Sequence, residues 1–109
     1  MEQLPVMNAL ELNKKIKKGK YILFFTAGWC PDCNFIKPVM PEIVKDYPEY
    51  TFIKVDRDDN IDLCKELDVF GIPSFIAYDN GNEIGRLVNK NRKTKNEIEE
   101  FINSLSNKK

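Results

Sequence analysis

The run Tyr21-Ile22-Leu23-Phe24-Phe25-Thr26 constrains the fold more than any other stretch. It carries no charge and is too short for an ordinary helix. An unbroken apolar run of that length predicts a strand buried on both faces, the kind found in parallel sheets. Such a strand needs a layer of helices above it and another below. The chain has 109 residues, 42% hydrophobic and 11% aromatic, enough for one core. One domain over residues 1–109 is expected.

Local signals supply the remaining elements. Residues 4–6, Leu-Pro-Val, suit a short edge strand. Asn8 can cap a helix with Glu11 in the capping-box position, and Gly19 can end it. Leu10, Leu12 and Ile16 offer that helix an imperfect apolar face. The lysines at 14, 15, 17, 18 and 20 fit a solvated face at a helix C-terminus, which favours cations. After the buried strand a helix starts near Cys33. Pro38 and Pro41 each remove a helical hydrogen bond, so it should break there and resume over about 39–47, before Pro48.

A second buried strand is expected over 51–56, then a short helix capped by Asp59 or Asn60 with Ile61, Cys64 and Leu67 on one face. Residues 69–73, Val-Phe-Gly-Ile-Pro, interrupt the pattern before a strand over 74–78. Asn80-Gly81 is a strong hairpin signal and leads to a strand over 83–88. Ile98, Phe101, Ile102 and Leu105 give residues 93–106 an amphipathic helical face. The order is βαβαβαββα. The class is α/β, with a mixed central sheet and helices on both faces.

Charge and residue counts exclude several functions. Lys plus Arg and Asp plus Glu are both 17, which argues against nucleic acid as main partner. No His is present, so a Cys–His nucleophile and His metal ligands are excluded. The start Met1-Glu2-Gln3-Leu4-Pro5 has no basic and apolar leader, and no apolar run could span a membrane. Three cysteines is an odd number for a secreted disulfide framework. A reducing, cytoplasmic setting is expected, where a disulfide is more often transient and catalytic.

Chemistry concentrates in Gly28-Trp29-Cys30-Pro31-Asp32-Cys33. A thiol at a helix N-terminus faces unpaired backbone N–H groups and the positive end of the dipole. Both favour the thiolate, which is the nucleophile. Pro31 just inside the helix costs no hydrogen bond. Cys33, in the first turn, is close enough to close a disulfide with Cys30. A zinc site would need further ligands, and only Cys64 and carboxylates remain. A purely structural pair is the other competitor. The context of a buried strand, C-x-x-C and a helix in a βαβ pattern is that of a redox pair. Cys64 itself falls on the buried face of its helix and reads as a core residue.

Trp29-Cys30-Pro31-Asp32-Cys33, Pro38, Gly71-Ile72-Pro73 and Asn80-Gly81, in this order and spacing, resemble the thioredoxin family. The resemblance runs from the first helix to the last. The Cys-Pro-Asp-Cys version is similar to a group of small bacterial thioredoxin-like proteins. The resemblance implies a thioredoxin-like fold and thiol-disulfide exchange. Cys30 would be the exposed attacking thiolate and Cys33 the resolving thiol. Trp29 would shield the pair and line the groove. Pro73 would be a cis proline facing the cysteines, and the Ile72 backbone would pair with an extended substrate segment. Pro38 would be the helix kink. The expected chemistry is reduction of protein disulfides or of mixed disulfides with low-molecular-weight thiols. Electrons would come from a flavin disulfide reductase or a small thiol, with no bound cofactor and no metal. A monomer is expected, with no nucleic acid and no membrane as partner. The alternative is a redox-quiet binding module on the same fold, against which the intact cysteine pair argues.

The sequence also departs from the pattern. Thioredoxins commonly carry Gly-Pro between the cysteines, where this chain has Pro31 and Asp32. A carboxylate beside the sulfurs opposes the thiolate, so Asp32 should make Cys30 less acidic than the helix terminus alone would. Counting from Trp29, Phe24 occupies the place of the family's buried Asp. Counting from Asp56, Phe52 falls where its Lys partner is expected. Replacing a buried ion pair with rings need not cost stability, but Cys33 then lacks its usual base. Phe70 could extend an apolar docking collar or pack under a loop. Asn89, Lys90 and Arg92 should lie near the same rim, where cations would suit an anionic thiol substrate or simply meet solvent.

Overall fold

Five strands form one sheet in the order β1-β3-β2-β4-β5, in a computed structural model that describes residues 1–105. The elements run β1 (Glu2–Gln3), α1 (Ala9–Lys15), β2 (Lys20–Thr26), α2 (Pro31–Ile36), a 3₁₀ turn (Lys37–Val39), α3 (Met40–Asp46), β3 (Thr51–Asp56), α4 (Ile61–Glu66), β4 (Ser74–Asp79), β5 (Asn82–Leu87) and α5 (Lys95–Leu105). β3 is parallel to β1 and β2, whereas β4 is antiparallel to both β2 and β5. The sheet is mixed, as the order of elements predicts.

β2 occupies the centre because its sequence can serve two cores. Leu23 and Phe25 pack with Leu12, Ile16, Leu63 and Cys64, so α1 and α4 cover one face. Ile22 and Phe24 pack with Ile36, Met40, Ile43, Ile98 and Ile102, so α2, α3 and α5 cover the other. Residues 22–25 are all buried, the reason the run shows no alternation.

Local chemistry fixes the ends. Asn8 and Glu11 form the expected capping box, with Glu11 N–H donating to Asn8 Oδ1 at 2.8 Å and Asn8 N–H to Glu11 Oε1 at 3.1 Å. Leu12 and Ile16 are buried, but Leu10 is exposed. Pro38 interrupts the second helix into α2, one 3₁₀ turn and α3. Asn80 and Gly81 both have positive φ, 50° and 85°, as a two-residue hairpin turn requires.

Three expectations are corrected. The edge strand is Glu2–Gln3 rather than 4–6. Leu4 N–H makes the last bond, to Lys54 O at 2.8 Å, and Pro5 has no N–H to continue. Asn60 sits at the start of α4 but its side chain caps nothing there. It accepts from Met7 N–H at 3.0 Å and donates to Pro5 O at 3.3 Å, tying the N-terminal segment to the domain body. The last helix begins at Lys95, not 93, because Thr94 and Glu97 exchange capping hydrogen bonds. Ser106, the expected last residue of that helix, lies outside the described residues.

Candidate active site

β2 delivers the chain to the site. After Thr26 it leaves the sheet through Ala27-Gly28-Trp29, and Cys30 N–H donates back to Ala27 O at 3.2 Å. Cys30 is then the N-cap of α2, with Pro31 in the first turn. Its sulfur takes the place of a capping oxygen: Cys33 N–H donates to Cys30 Sγ at 3.2 Å. The cysteine spacing therefore puts an orphan helix donor on the first sulfur. From the other side, Ile72 O lies 4.0 Å from Cys30 Sγ. The Ile72–Pro73 peptide bond is cis, as the resemblance implied.

The two thiols are free and differ little in exposure. Cys33 is 1% exposed and Cys30 5%, so the first sulfur is not the exposed group that the resemblance implied. Burial, then a hydrogen bond shared with Cys30, pushes the Cys33 thiol up to about 11. Hydrogen bonds from the Thr26 side chain and the Ala27 backbone pull the other way. Cys33 is thus held as a thiol until something removes its proton. Cys64 is buried in α4, and burial raises its thiol too, which fits a core residue.

Around the pair the surface is apolar and open. Trp29 is 60% exposed, its Nε1–H donating to Asp58 Oδ2 at 2.7 Å with the Arg57 guanidinium 5.7 Å from the ring centroid. Phe70 is 77% exposed, which rules out packing under a loop. Phe35 on α2 is also exposed. Ile72 and Pro73 are buried, so they can offer the groove mainly backbone.

The loop after β5 closes one side, and sequence reasoning did not foresee how. Arg92 Nε donates to Asp32 Oδ1 at 2.9 Å, and its guanidinium lies 4.4 Å from the Phe35 centroid. Asn89 O accepts from Ser74 Oγ at 3.2 Å, and a Cβ on Gly71 would overlap the Asn89–Lys90 peptide. Lys93 is 1% exposed, its Nζ donating to Asn89 O, Asn89 Oδ1 and Asn91 O at 3.0, 2.7 and 2.6 Å. The Thr94-x-x-Glu97 capping box was the signal that could have placed Lys93 in this loop rather than in the helix. Of the expected rim residues, Asn89, Lys90 and Arg92 are all exposed.

Both rings expected in place of a buried polar pair lie in one core, and the register fixes their neighbours. Phe24 is buried and stacked on Phe75, centroids 5.0 Å apart. Phe52 lies opposite Ile22, and the residue opposite Phe24 is Lys54. A cavity of about 330 Å³ beside the end of β2 is lined by Phe24, Thr26, Asn34, Lys54 and Asp56 among others. Lys54 thus stands directly across from Phe24 in the sheet.

Comparison with known proteins agrees with this geometry. Residues 3–104 match the family model described as Thioredoxin. The chain is 39% identical over 83 residues to a thioredoxin H-type of Fagopyrum esculentum, covering 72% of each chain. It is 37% identical over 95 residues to thioredoxin H5 of Arabidopsis thaliana, covering 83% of this chain and 78% of that one. Its structure is similar to mitochondrial thioredoxin 3 of Saccharomyces cerevisiae, with TM-score 0.79, 28% identity, and 95% and 94% of the two chains covered. These relatives are plant and yeast proteins, where the Cys-Pro-Asp-Cys segment had suggested bacterial ones. Among the described residues no helix is long and apolar enough to cross a membrane.

Proposed function

The chain belongs to the thioredoxin family and is a thiol-disulfide oxidoreductase, and on that premise we propose that it reduces disulfides through Cys30 and Cys33. The substrates of this reading are protein disulfides and mixed disulfides with low-molecular-weight thiols. The observation that carries it is the position of Cys30 Sγ, at the start of α2 with Cys33 N–H 3.2 Å away and Ile72 O on its other side.

The Cys30 thiolate attacks one sulfur of the substrate disulfide. A Cys30–substrate bond forms, and the other substrate sulfur leaves with the electron pair and takes up a proton. Cys33 then loses its proton and attacks Cys30 Sγ. The mixed disulfide breaks, the second substrate thiol departs, and a Cys30–Cys33 disulfide remains. Two electrons have passed to the substrate. A flavin disulfide reductase or a small thiol returns them, so no bound cofactor enters the cycle.

Trp29 and Phe70 supply apolar contact to the partner, and the Ile72 backbone next to Pro73 pairs with an extended substrate segment. Pro31 and Asp32 tune the pair. The whole chain acts as one domain and a monomer in the cytoplasm, without nucleic acid or membrane.

Trapping tests the reading. Cys33→Ser should accumulate mixed disulfides with substrate, which Cys30→Ser should not. Equilibration of the wild-type pair against glutathione, with alkylation and mass readout, should place it below the glutathione poise. No reversible bridge, or adducts independent of Cys30, would overturn it.

A further inference from the structure

We propose that Lys93 is a charge-positioning residue of the cysteine site, its buried ammonium favouring the thiolate of Cys30 in the reduced protein. The inference rests on the reading of Cys30 and Cys33 as the exchanging pair and adds a residue to it.

A lysine that is 1% exposed is unusual. Removing an ammonium from water is costly unless its surroundings compensate. Here the compensation is neutral. All three N–H groups are taken by Asn89 O, Asn89 Oδ1 and Asn91 O. No carboxylate lies within 4.0 Å of the nitrogen among the described residues. The charge is therefore held in place but not cancelled by direct contact.

Its place in the fold gives that charge a target. Asn89 O also accepts from Ser74 Oγ, one residue beyond Pro73, and Ile72 O faces Cys30 Sγ. The preceding residue, Arg92, binds Asp32 between the cysteines. The loop that carries Lys93 is thus pinned to both walls of the site. Burial lowers the pKa of the ammonium, and the groups that oppose this by their charge are Glu97 of α5, then Cys33 and Asp32 of α2, and Cys30 at its cap. Arg92, one residue before it, adds a cation to the same loop and pairs with Asp32 at the surface. The groups whose charge changes in the reaction are the two sulfurs.

A cation that stabilises a nearby thiolate must itself be stabilised by that thiolate, by the same amount. This gives two tests. In Lys93→Met, alkylation of Cys30 at pH 7 should slow about tenfold and its pH profile should move to higher pH, as loss of one nearby opposite charge predicts. A loop staple without electrostatic effect would lower thermal stability and leave that profile where it was. The second test needs no substitution. In wild-type protein, NMR titration of the Lys93 side chain should give a higher pKa in the dithiol form than in the disulfide form. Should Lys93→Met fail to fold, this measurement decides alone. An unchanged alkylation profile in a folded variant, or equal Lys93 titration in the two redox states, overturns the proposal. Either result with wild-type disulfide reduction intact leaves the Cys30–Cys33 reading standing, whereas reduction that survives Cys30→Ser removes that reading first.

Discussion

The Arg92 guanidinium holds the Asp32 carboxylate at 2.9 Å across the mouth of the cysteine pair. The two side chains come from elements 60 residues apart in sequence. The pair is half-exposed, 53% and 36%, so its contribution to stability is small, on the order of 0.2–1 kcal/mol. Its effect is on charge beside the sulfurs. The carboxylate opposes a thiolate and the guanidinium offsets the carboxylate. Asp32→Asn should therefore speed alkylation of Cys30 at pH 7, and Arg92→Gln should slow it, each by about threefold at low salt. The double variant should return close to wild type. Both effects should shrink in high salt. An unchanged rate in Asp32→Asn would leave the carboxylate with a purely helical role.

Phe24 fills the place where a buried carboxylate was expected, and its ring stacks on Phe75 within the core shared by α2, α3 and α5. Its role is packing. Phe24→Ala should lower the urea unfolding free energy by roughly 3–5 kcal/mol, the cost of removing a buried aromatic ring. The rate at which Cys33 resolves a mixed disulfide should not change, because the ring supplies no proton acceptor. Stopped-flow release of the second thiol measures this. A slowed release in the folded variant would give the ring a part in the chemistry.

Phe70 presents 77% of its surface to solvent beside Gly71 and the Ile72–Pro73 bond. A ring so exposed costs little to truncate in the free protein, so Phe70→Ala should change stability by less than about 0.5 kcal/mol. Against a disulfide-bearing protein the variant should show a KM raised about threefold to tenfold, as expected if the ring is buried on docking. Reduction of a small aromatic disulfide should proceed at the wild-type rate. Equal losses on both substrates would place Phe70 in the chemistry rather than in docking.

These residues differ in how legible they were. β2, β3, the break at Pro38 and the Asn80-Gly81 turn were readable because each rests on a local pattern, an apolar run or a residue with a fixed backbone preference. The cysteine pair was readable for the same reason, since its geometry comes from one helix start. What stayed hidden depends on pairing across the chain. Asn60 bonds Met7 and Pro5, 53 and 55 residues away, so its local capping signal misled. Phe52 was reached by counting along one strand, and only the β2–β3 register shows that Lys54 is the residue directly opposite Phe24. Lys93 was expected to open the last helix, because its three acceptors belong to a loop whose path is set by Gly71 and Ser74.

Cys33 gives the reduced protein a pH dependence that the oxidised protein lacks. Its thiol is pushed from an ordinary 9.0 up to about 11, first by burial and then by the hydrogen bond with Cys30. A raised pKa means that the folded state prefers the protonated thiol. The stabilisation is complete below pH 9, the unfolded value, and is lost as pH rises through the folded value near 11. Tyr78, pushed up to about 12 by burial, and Cys64, raised by burial, act with the same sign in both redox forms and cancel in a comparison of the two. The melting temperature of the reduced form should thus fall more steeply between pH 9 and 11 than that of the oxidised form. In Cys33→Ala that excess slope should disappear, because the variant has no thiol at 33 to ionise. Parallel curves for the reduced and oxidised wild type would mean that Cys33 ionises as easily folded as unfolded, and that its burial in α2 does not hold back its proton.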